Sequence, residues 1–214
     1  MSEYLLTILV NVNPELPAKP ARARILDAAA RVMREKGLAN TTTKLIAAAA
    51  DYSEAMLYKH FADKQELFLA VLEERTPPVR IDPAAVGHGD LTGNLAQLAE
   101  QLMSFFAHTF PIAASIFSSP ALLVDHRQGV ASHGRGPRAP LVSVRAYLDA
   151  ERDHGRLKAD ADTDTAAKLL VGAAFHQGFL AAFDGLDHVP DAAAKAADFA
   201  AAIAKILHAH SDLP

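Results

Sequence analysis

The chain has 214 residues, half of them apolar and about a fifth charged, with a formal net charge of −4 at neutral pH. That length suits one ordinary domain or two small ones sharing an interface, and the balance of residue types supports a buried core and excludes wholesale disorder. With no cysteine anywhere, disulfide scaffolds, thiol nucleophiles and thiolate zinc sites are excluded together, and a reducing, cytoplasmic setting is expected.

An alanine-rich composition in which good helix formers outnumber β-branched residues predicts an all-α protein of about nine helices. No purely apolar stretch approaches the roughly 18 residues of a membrane span, so no membrane partner is expected. Residues 1–17 read as an N-terminal extension or arm. Tyr4–Val12 is apolar, but Glu3 precedes it and neither a basic flank nor an Ala-x-Ala cleavage pattern accompanies it, which argues against a secretory signal. Breaks follow at Pro14–Pro20, Thr76–Asp90 and His126–Pro140, each rich in proline or glycine.

Charge is distributed unevenly. Between Ala18 and Lys64 nine Lys and Arg face five acids, a local +4 that leaves −8 for the rest of the chain. A basic N-terminal module facing an anion and a separate C-terminal module are therefore expected.

Within the basic module, Ile25, Ala29, Val32 and Met33 form one stripe of a helix that Gly37 stops. A second helix starts after Thr41-Thr42-Thr43, where a hydroxyl can cap free amides, and runs to about Ala50. Asp51-Tyr52-Ser53 is a three-residue link, and Ser53 caps a third helix over Glu54–His60 that buries Leu57 and directs Phe61 inward. Asp63 with Glu66 makes a capping box for a fourth helix, Lys64 to Arg75, closed by Pro77-Pro78. Two short helices joined by a three-residue turn and braced by a longer helix present a helix-turn-helix, whose second member enters the major groove.

Ile25, Ala28-Ala29, Gly37, Thr41-Thr42, Ile46-Ala47, Ala50, Ser53, Leu57-Tyr58, Phe61, Lys64 and Leu67 together resemble the N-terminal signature of TetR-type (tetracycline-repressor-like) transcriptional regulators, over about residues 22–73. The resemblance implies a helix-turn-helix DNA-binding domain over 18–64 and a helical effector-binding and dimerisation domain over 65–214. It further implies that residues from Thr42 to Lys64 touch double-stranded DNA at a near-palindromic operator. Thr42 and Lys44 would meet phosphate at the start of the second helix, and Tyr58, Lys59 and His60 would reach the groove wall. Lys64 would add its charge to the amides opening the fourth helix. Ser53, Glu54, Ala55 and Met56 open the reading helix: Glu54 can accept from cytosine N4, and Ala55 or Met56 can pack on a thymine methyl. Equally, Glu54 can serve the helix dipole alone and Met56 the core. The chain departs from the family pattern at Asp51, where glycine is usual in the turn, and at Ala48, Ala49 and Glu54, where basic residues are common. Phosphate affinity is thus expected to be low and to lean on dimerisation.

The C-terminal module reads as helices over Leu91–Phe110, Ile112–Asp125, Leu141–His154, Thr165–Phe183 and Asp191–His210. Phe105, Phe106, Phe110, Phe117, Phe175 and Phe179, with His126 and His176, are candidates to line an apolar pocket for a small-molecule effector, although phenylalanine on helices is also ordinary core. Leu170, Ala174 and Gly178 on one helix and Ala196, Phe199, Ala200, Ile203 and Leu207 on the next are candidates for the homodimer interface. The resemblance implies that these two helices pair with their copies as a four-helix bundle.

The reading this supports is a ligand-responsive transcriptional regulator, a repressor released from its operator by a small apolar or aromatic effector. The alternative is a helical ligand-binding or scaffold protein with a degenerate head. No cofactor, metal or catalytic site is expected: His208 and His210 stand two apart on a predicted helix, and neither His-Glu-x-x-His nor Gly-x-Ser-x-Gly occurs.

Overall fold

The computed structural model describes residues 20–82, 85–118, 120–133 and 136–208, so the arm expected over 1–17 lies outside the described residues. Among them the chain is all-α, with no strand and nine helices. These are α1 (Ala21–Lys36), α2 (Thr43–Ala50), α3 (Glu54–His60), α4 (Lys64–Glu74), α5 (Leu91–Phe117), α6 (Pro120–His133), α7 (Ala139–Asp153), α8 (Thr163–Phe183) and α9 (Ala192–His208).

The first four helices begin and end on local signals. Gly37 stops α1 at a φ of 71°, with its N–H on the Met33 carbonyl. The Leu45 N–H donates to Thr42 Oγ1 at 3.1 Å to open α2, and the Met56 N–H to Ser53 Oγ at 3.3 Å to open α3. At α4 the Glu66 N–H donates to Asp63 at 2.8 Å, while the Glu66 carboxylate reaches back to the Ala62 N–H. Each such cap contributes about 1 kcal/mol. Asp51 closes α2 at φ 60° and ψ 46°, the left-handed region where a side chain costs energy and glycine does not.

Ile25, Leu26 and Met33 of α1, Ile46 of α2, Leu57 of α3 and Leu67 of α4 are buried in one head core. Because Leu67, Phe68, Ala70 and Val71 all belong to it, α4 packs as part of the head, and a boundary after residue 64 would cut through this cluster. The same core takes in Ile112 and Ile116 from α5.

That last contact explains a departure from the sequence expectation, which ended a helix before Pro111. Instead α5 runs for 27 residues, about 40 Å, straight through the proline. An internal proline costs about 3 kcal/mol or more. Burying Ile112 and Ile116 almost completely offsets it at about 1.5–3 kcal/mol each, and Ser115 Oγ accepts the Leu38 N–H at 2.8 Å besides. Upstream of Pro111, Leu91, Leu95, Leu98, Leu102, Met103 and Ala107 are buried in a second core with α7, α8 and α9. A further departure is α6, which continues through Gly129 to His133, inside the segment expected to be a break.

The connection between α4 and α5 is fastened at its far end. Glu151, fully buried on α7, accepts the Gly87 N–H and pairs with Arg156, whose guanidinium also donates to the carbonyls of His88 and Gly89. The Tyr147 hydroxyl lies buried beside Asn94 and Glu151, and burial pushes its pKa up to about 12.

By length and composition α8 could cross a membrane: it spans 21 residues with a mean hydropathy of 1.3 in its most apolar window. Lys168, His176 and Gln177 interrupt its apolar runs, so no purely apolar stretch in it is long. In the fold it lies along α5 and α7, burying Ala166, Ala167, Leu170, Ala174, Gly178 and Ala181. At Gly178 the two helices touch: a β-carbon there would stand 2.5 Å from Phe106 Cβ and 2.8 Å from the Ala107 nitrogen.

Two stability measurements check these assignments. Asp51→Gly relieves the left-handed side chain and should raise stability by about 0.5–1 kcal/mol, a gain of about 1–4 °C in Tm. Gly178→Ala forces α8 off the α5 backbone and should cost about 1–3 kcal/mol.

Candidate nucleic-acid interface

The turn Asp51–Ser53 projects α3 from the head so that only Leu57 is fully buried, while Glu54, Ala55, Tyr58 and Lys59 are exposed. Tyr58 is 52 % exposed, too much for a ring serving the core. On α2, Thr42 and Lys44 are exposed alongside. Thr42 and Ser53 each accept a cap hydrogen bond, which leaves their own hydroxyl protons able to donate to a phosphate oxygen. Glu54 occupies the first turn of α3 and His60 is half-buried in the last.

Two residues expected at this surface are drawn inward. Met56 is half-buried against the head core, which leaves its thioether little reach towards a base. Lys64 is half-buried with its Nζ 4.9 Å from the centre of the Phe68 ring, and burial holds its pKa below the usual lysine value. Its charge is folded onto the head rather than presented at the opening of α4.

The basic face is thinner than its charge count because three arginines are engaged elsewhere. Arg22 makes a bidentate pair with Glu74, both bonds 2.7 Å. Arg24 lies over the Tyr52 ring at 4.8 Å and donates to the Ala50 carbonyl, and Arg31 donates to the Ala49 carbonyl. Arg24 and Arg31 thus satisfy the free carbonyls closing α2, which positions the α2–α3 pair on α1. Their spacing of seven residues, two helical turns on one face, is the signal in the sequence that marks them as a pair. Lys44 and Lys59 are the cations left on the exposed faces of α2 and α3, and among the described residues neither has an ion-pair partner.

In the body, the structure brings most of the expected pocket residues together as a row of rings in mutual contact. Phe105, Phe106, Phe175, Phe110 and Phe179 form a continuous edge-to-face chain with centroids 5.1–5.8 Å apart, extended by Phe183 at 6.2 Å. These rings pack on one another, and Phe175 is 45 % exposed. Phe117 stands apart at 72 % exposure, His176 is exposed, and His126 lies on α6 against the head.

The expected dimer residues lie mostly inside the subunit. Leu170, Ala174, Gly178, Ala196, Ala200, Ile203 and Leu207 are all buried inside the subunit, and Phe199 is half-buried against the same core. The small ones among them, Ala174, Gly178, Ala196 and Ala200, serve the close approach of α8 and α9 to α5. The exposed side of α8 carries instead Leu169, Gly172, His176, Leu180 and Phe183, a stripe at helical spacing, beside exposed Ala197, Ala201 and Ile206 on α9.

Comparison with known proteins agrees with a helix-turn-helix head on an all-α body. Residues 25–71 match the family model described as bacterial regulatory proteins, tetR family. The HTH-type transcriptional regulator YvkB of Bacillus subtilis is 31 % identical over 137 residues, covering 64 % of this chain and 70 % of that protein. The HTH-type transcriptional regulator TtgW of Pseudomonas putida is 38 % identical over 65 residues, 30 % of this chain and 48 % of that protein. Among solved structures, a TetR transcriptional regulator from Agrobacterium tumefaciens superposes with a TM-score of 0.65 at 24 % identity, over 89 % of this chain and 96 % of that one. The structure of a SmeT–triclosan complex superposes with a TM-score of 0.59 at 25 % identity, over 85 % of this chain and 90 % of that one.

Proposed function

Since the chain belongs to the tetR family of bacterial regulatory proteins and is a DNA-binding transcriptional regulator, we propose that it is a homodimeric repressor that a small apolar or aromatic effector releases from a near-palindromic operator. The observation that carries this reading is the projection of α3, with Glu54, Ala55, Tyr58 and Lys59 exposed on a helix whose inner face is locked into the head by Leu57. Lys44, Lys59, Thr42 and Ser53 are the phosphate-positioning groups, and Tyr58 and His60 border them. Glu54 and Ala55 are the base-reading residues, with Glu54 accepting from cytosine N4.

The dimer forms through the exposed stripe of α8 and the small exposed residues of α9, not through the residues already buried in the subunit. Two heads held about 34–36 Å apart would read successive major grooves, which compensates for two exposed lysines per reading pair. An aromatic effector fits both the apolar body and the triclosan held by the structural relative SmeT. A coupling of about 1–3 kcal/mol between effector and operator suffices for a switch.

Selection of bound duplexes from a random pool tests the DNA reading. It should return a two-fold-symmetric site whose affinity falls steeply with salt. Lys59→Ala should weaken every duplex alike, by up to about tenfold, whereas Glu54→Gln should relax preference at one base pair per half-site, worth about 1–3 kcal/mol. No enrichment over nonspecific binding would favour a scaffold with a degenerate head.

The oligomeric reading is tested by sedimentation. The double substitution Leu180→Asp with Phe183→Asp should convert a dimer to a folded monomer and reduce operator affinity at least a hundredfold. The pair Leu170→Ala with Ile203→Ala should lower thermal stability instead, leaving the dimer in place.

A further inference from the structure

Gly172 sits in the middle of α8, and among the described residues nothing in its own subunit calls for a glycine there. Its backbone is ordinary helix, in which glycine is a poorer former than alanine. A β-carbon added to it would meet no atom within 4 Å. Gly178, six residues on, has the α5 backbone against it, whereas Gly172 faces away from the subunit. It interrupts the exposed stripe: Leu169 stands three residues before it, His176 and Leu180 four and eight after. The result is a notch one side chain deep in a bulky, largely apolar ridge.

The surface around the notch matches a second copy of this chain in size and shape. Where α8 is bulky, α9 presents Ala193, Ala197 and Ala201, four apart on one exposed flank. A twofold supplies both halves at once, setting the ridge of each subunit beside the alanines of the other. Side by side the two helices offer about 30 Å by 20 Å, roughly 600 Å² per subunit, near the roughly 800 Å² per partner of a stable interface. The direction of α8 then decides how two copies cross. Phe175 packs on Phe106 and Phe179 on Phe110, so α8 runs parallel with α5, towards the head. Two heads facing one duplex require the twofold to run from body to head, so both copies of α8 point at the DNA and cross at an acute angle. A residue at the crossing meets its own copy, and two side chains cannot share one point on the axis. In the stripe Gly172 alone has none.

We propose that α8 crosses its own copy at Gly172, on the twofold axis, and that the missing side chain makes this point the pivot of the two subunits. The proposal rests on the homodimer of the preceding reading and assigns its axis to one residue. Helix backbones close together at the pivot let Leu180 and Phe183 reach the partner on the head side of it and Leu169 on the other. A side chain at 172 would wedge the pair apart at its centre and loosen all of these contacts together.

Because the chain has no cysteine, single cysteines report the crossing directly. Thr165→Cys, Gly172→Cys and Leu180→Cys are each made in the full chain and oxidised, and the linked dimer is followed on denaturing gels. A disulfide needs α-carbons within about 7 Å. Gly172→Cys should therefore link at least tenfold faster than the other two, which stand about 10–12 Å along the helix on either side. In sedimentation, Gly172→Leu should weaken dimerisation at least a hundredfold while circular dichroism keeps the helical content of wild type. A dimer in which Gly172→Cys links no faster than Thr165→Cys or Leu180→Cys, or one that tolerates Gly172→Leu, overturns the pivot and leaves the homodimer standing. Wild type that sediments as a monomer overturns the homodimer and the pivot with it. If Gly172→Leu fails to fold, the cysteine series decides.

Discussion

Burial of Ile112 and Ile116 in the head core is the contact on which the arrangement of the molecule depends. It makes α5 a member of two cores at once: its N-terminal two-thirds is the axis against which α8 and α9 pack, and its last turns close the head. A helix cannot bend freely, so the head has a defined pose relative to the body, and Ser115 on Leu38 adds a directional bond to the apolar contact. The second covalent route, α4 and the connection after it, is tied at both ends by arginine. Arg75 pairs with Asp27 of α1, and Arg156 holds the carbonyls of His88 and Gly89. Any change of head pose therefore has to loosen the α5 contact or strain a fastened strap.

Local chemistry made the head legible. Gly37, the hydroxyls of Thr42 and Ser53, and the Asp63–Glu66 box each act within four residues, so their effects need no knowledge of the rest of the fold. Pro111 was misleading for the complementary reason: its cost is local, but the burial that outweighs it joins residues some eighty positions apart. Charge counting pointed rightly to the head but overstated its free cations for the same reason. Arg22, Arg24 and Arg31 add to a basic footprint in sequence, and only the folded contacts to Glu74, Ala50 and Ala49 remove them from it.

The two faces of α8 present a different difficulty. Apolar residues occur around the whole helix, so periodicity points to no single side. Small residues permit close approach whether the neighbour is α5 of the same subunit or a helix of another. The backbone of Ala107 beneath Gly178 decides for the former. What remains outside, Leu169, Leu180 and Phe183 among it, is an apolar stripe on a helix already fully supported from within. Large exposed apolar stripes are costly to leave wet, and the same composition that gives α8 its membrane-like hydropathy is that of a helix with two apolar neighbours.

These features bear on one another through the thin charge of the head. With three arginines spent on stabilising it, each α2–α3 pair offers Lys44 and Lys59 as exposed cations, too few for one head to hold a duplex tightly at physiological salt. In the proposed dimer affinity comes from holding two heads at a fixed separation, since the second engages at the high effective concentration set by the first. Such a design makes the separation, rather than any single contact, the quantity on which binding turns. In that proposed dimer a modest displacement of the head against α5 would change the separation in both subunits at once. In the proposed switch the strength of the apolar contact at Ile112 and Ile116 therefore sets how much energy an effector must supply.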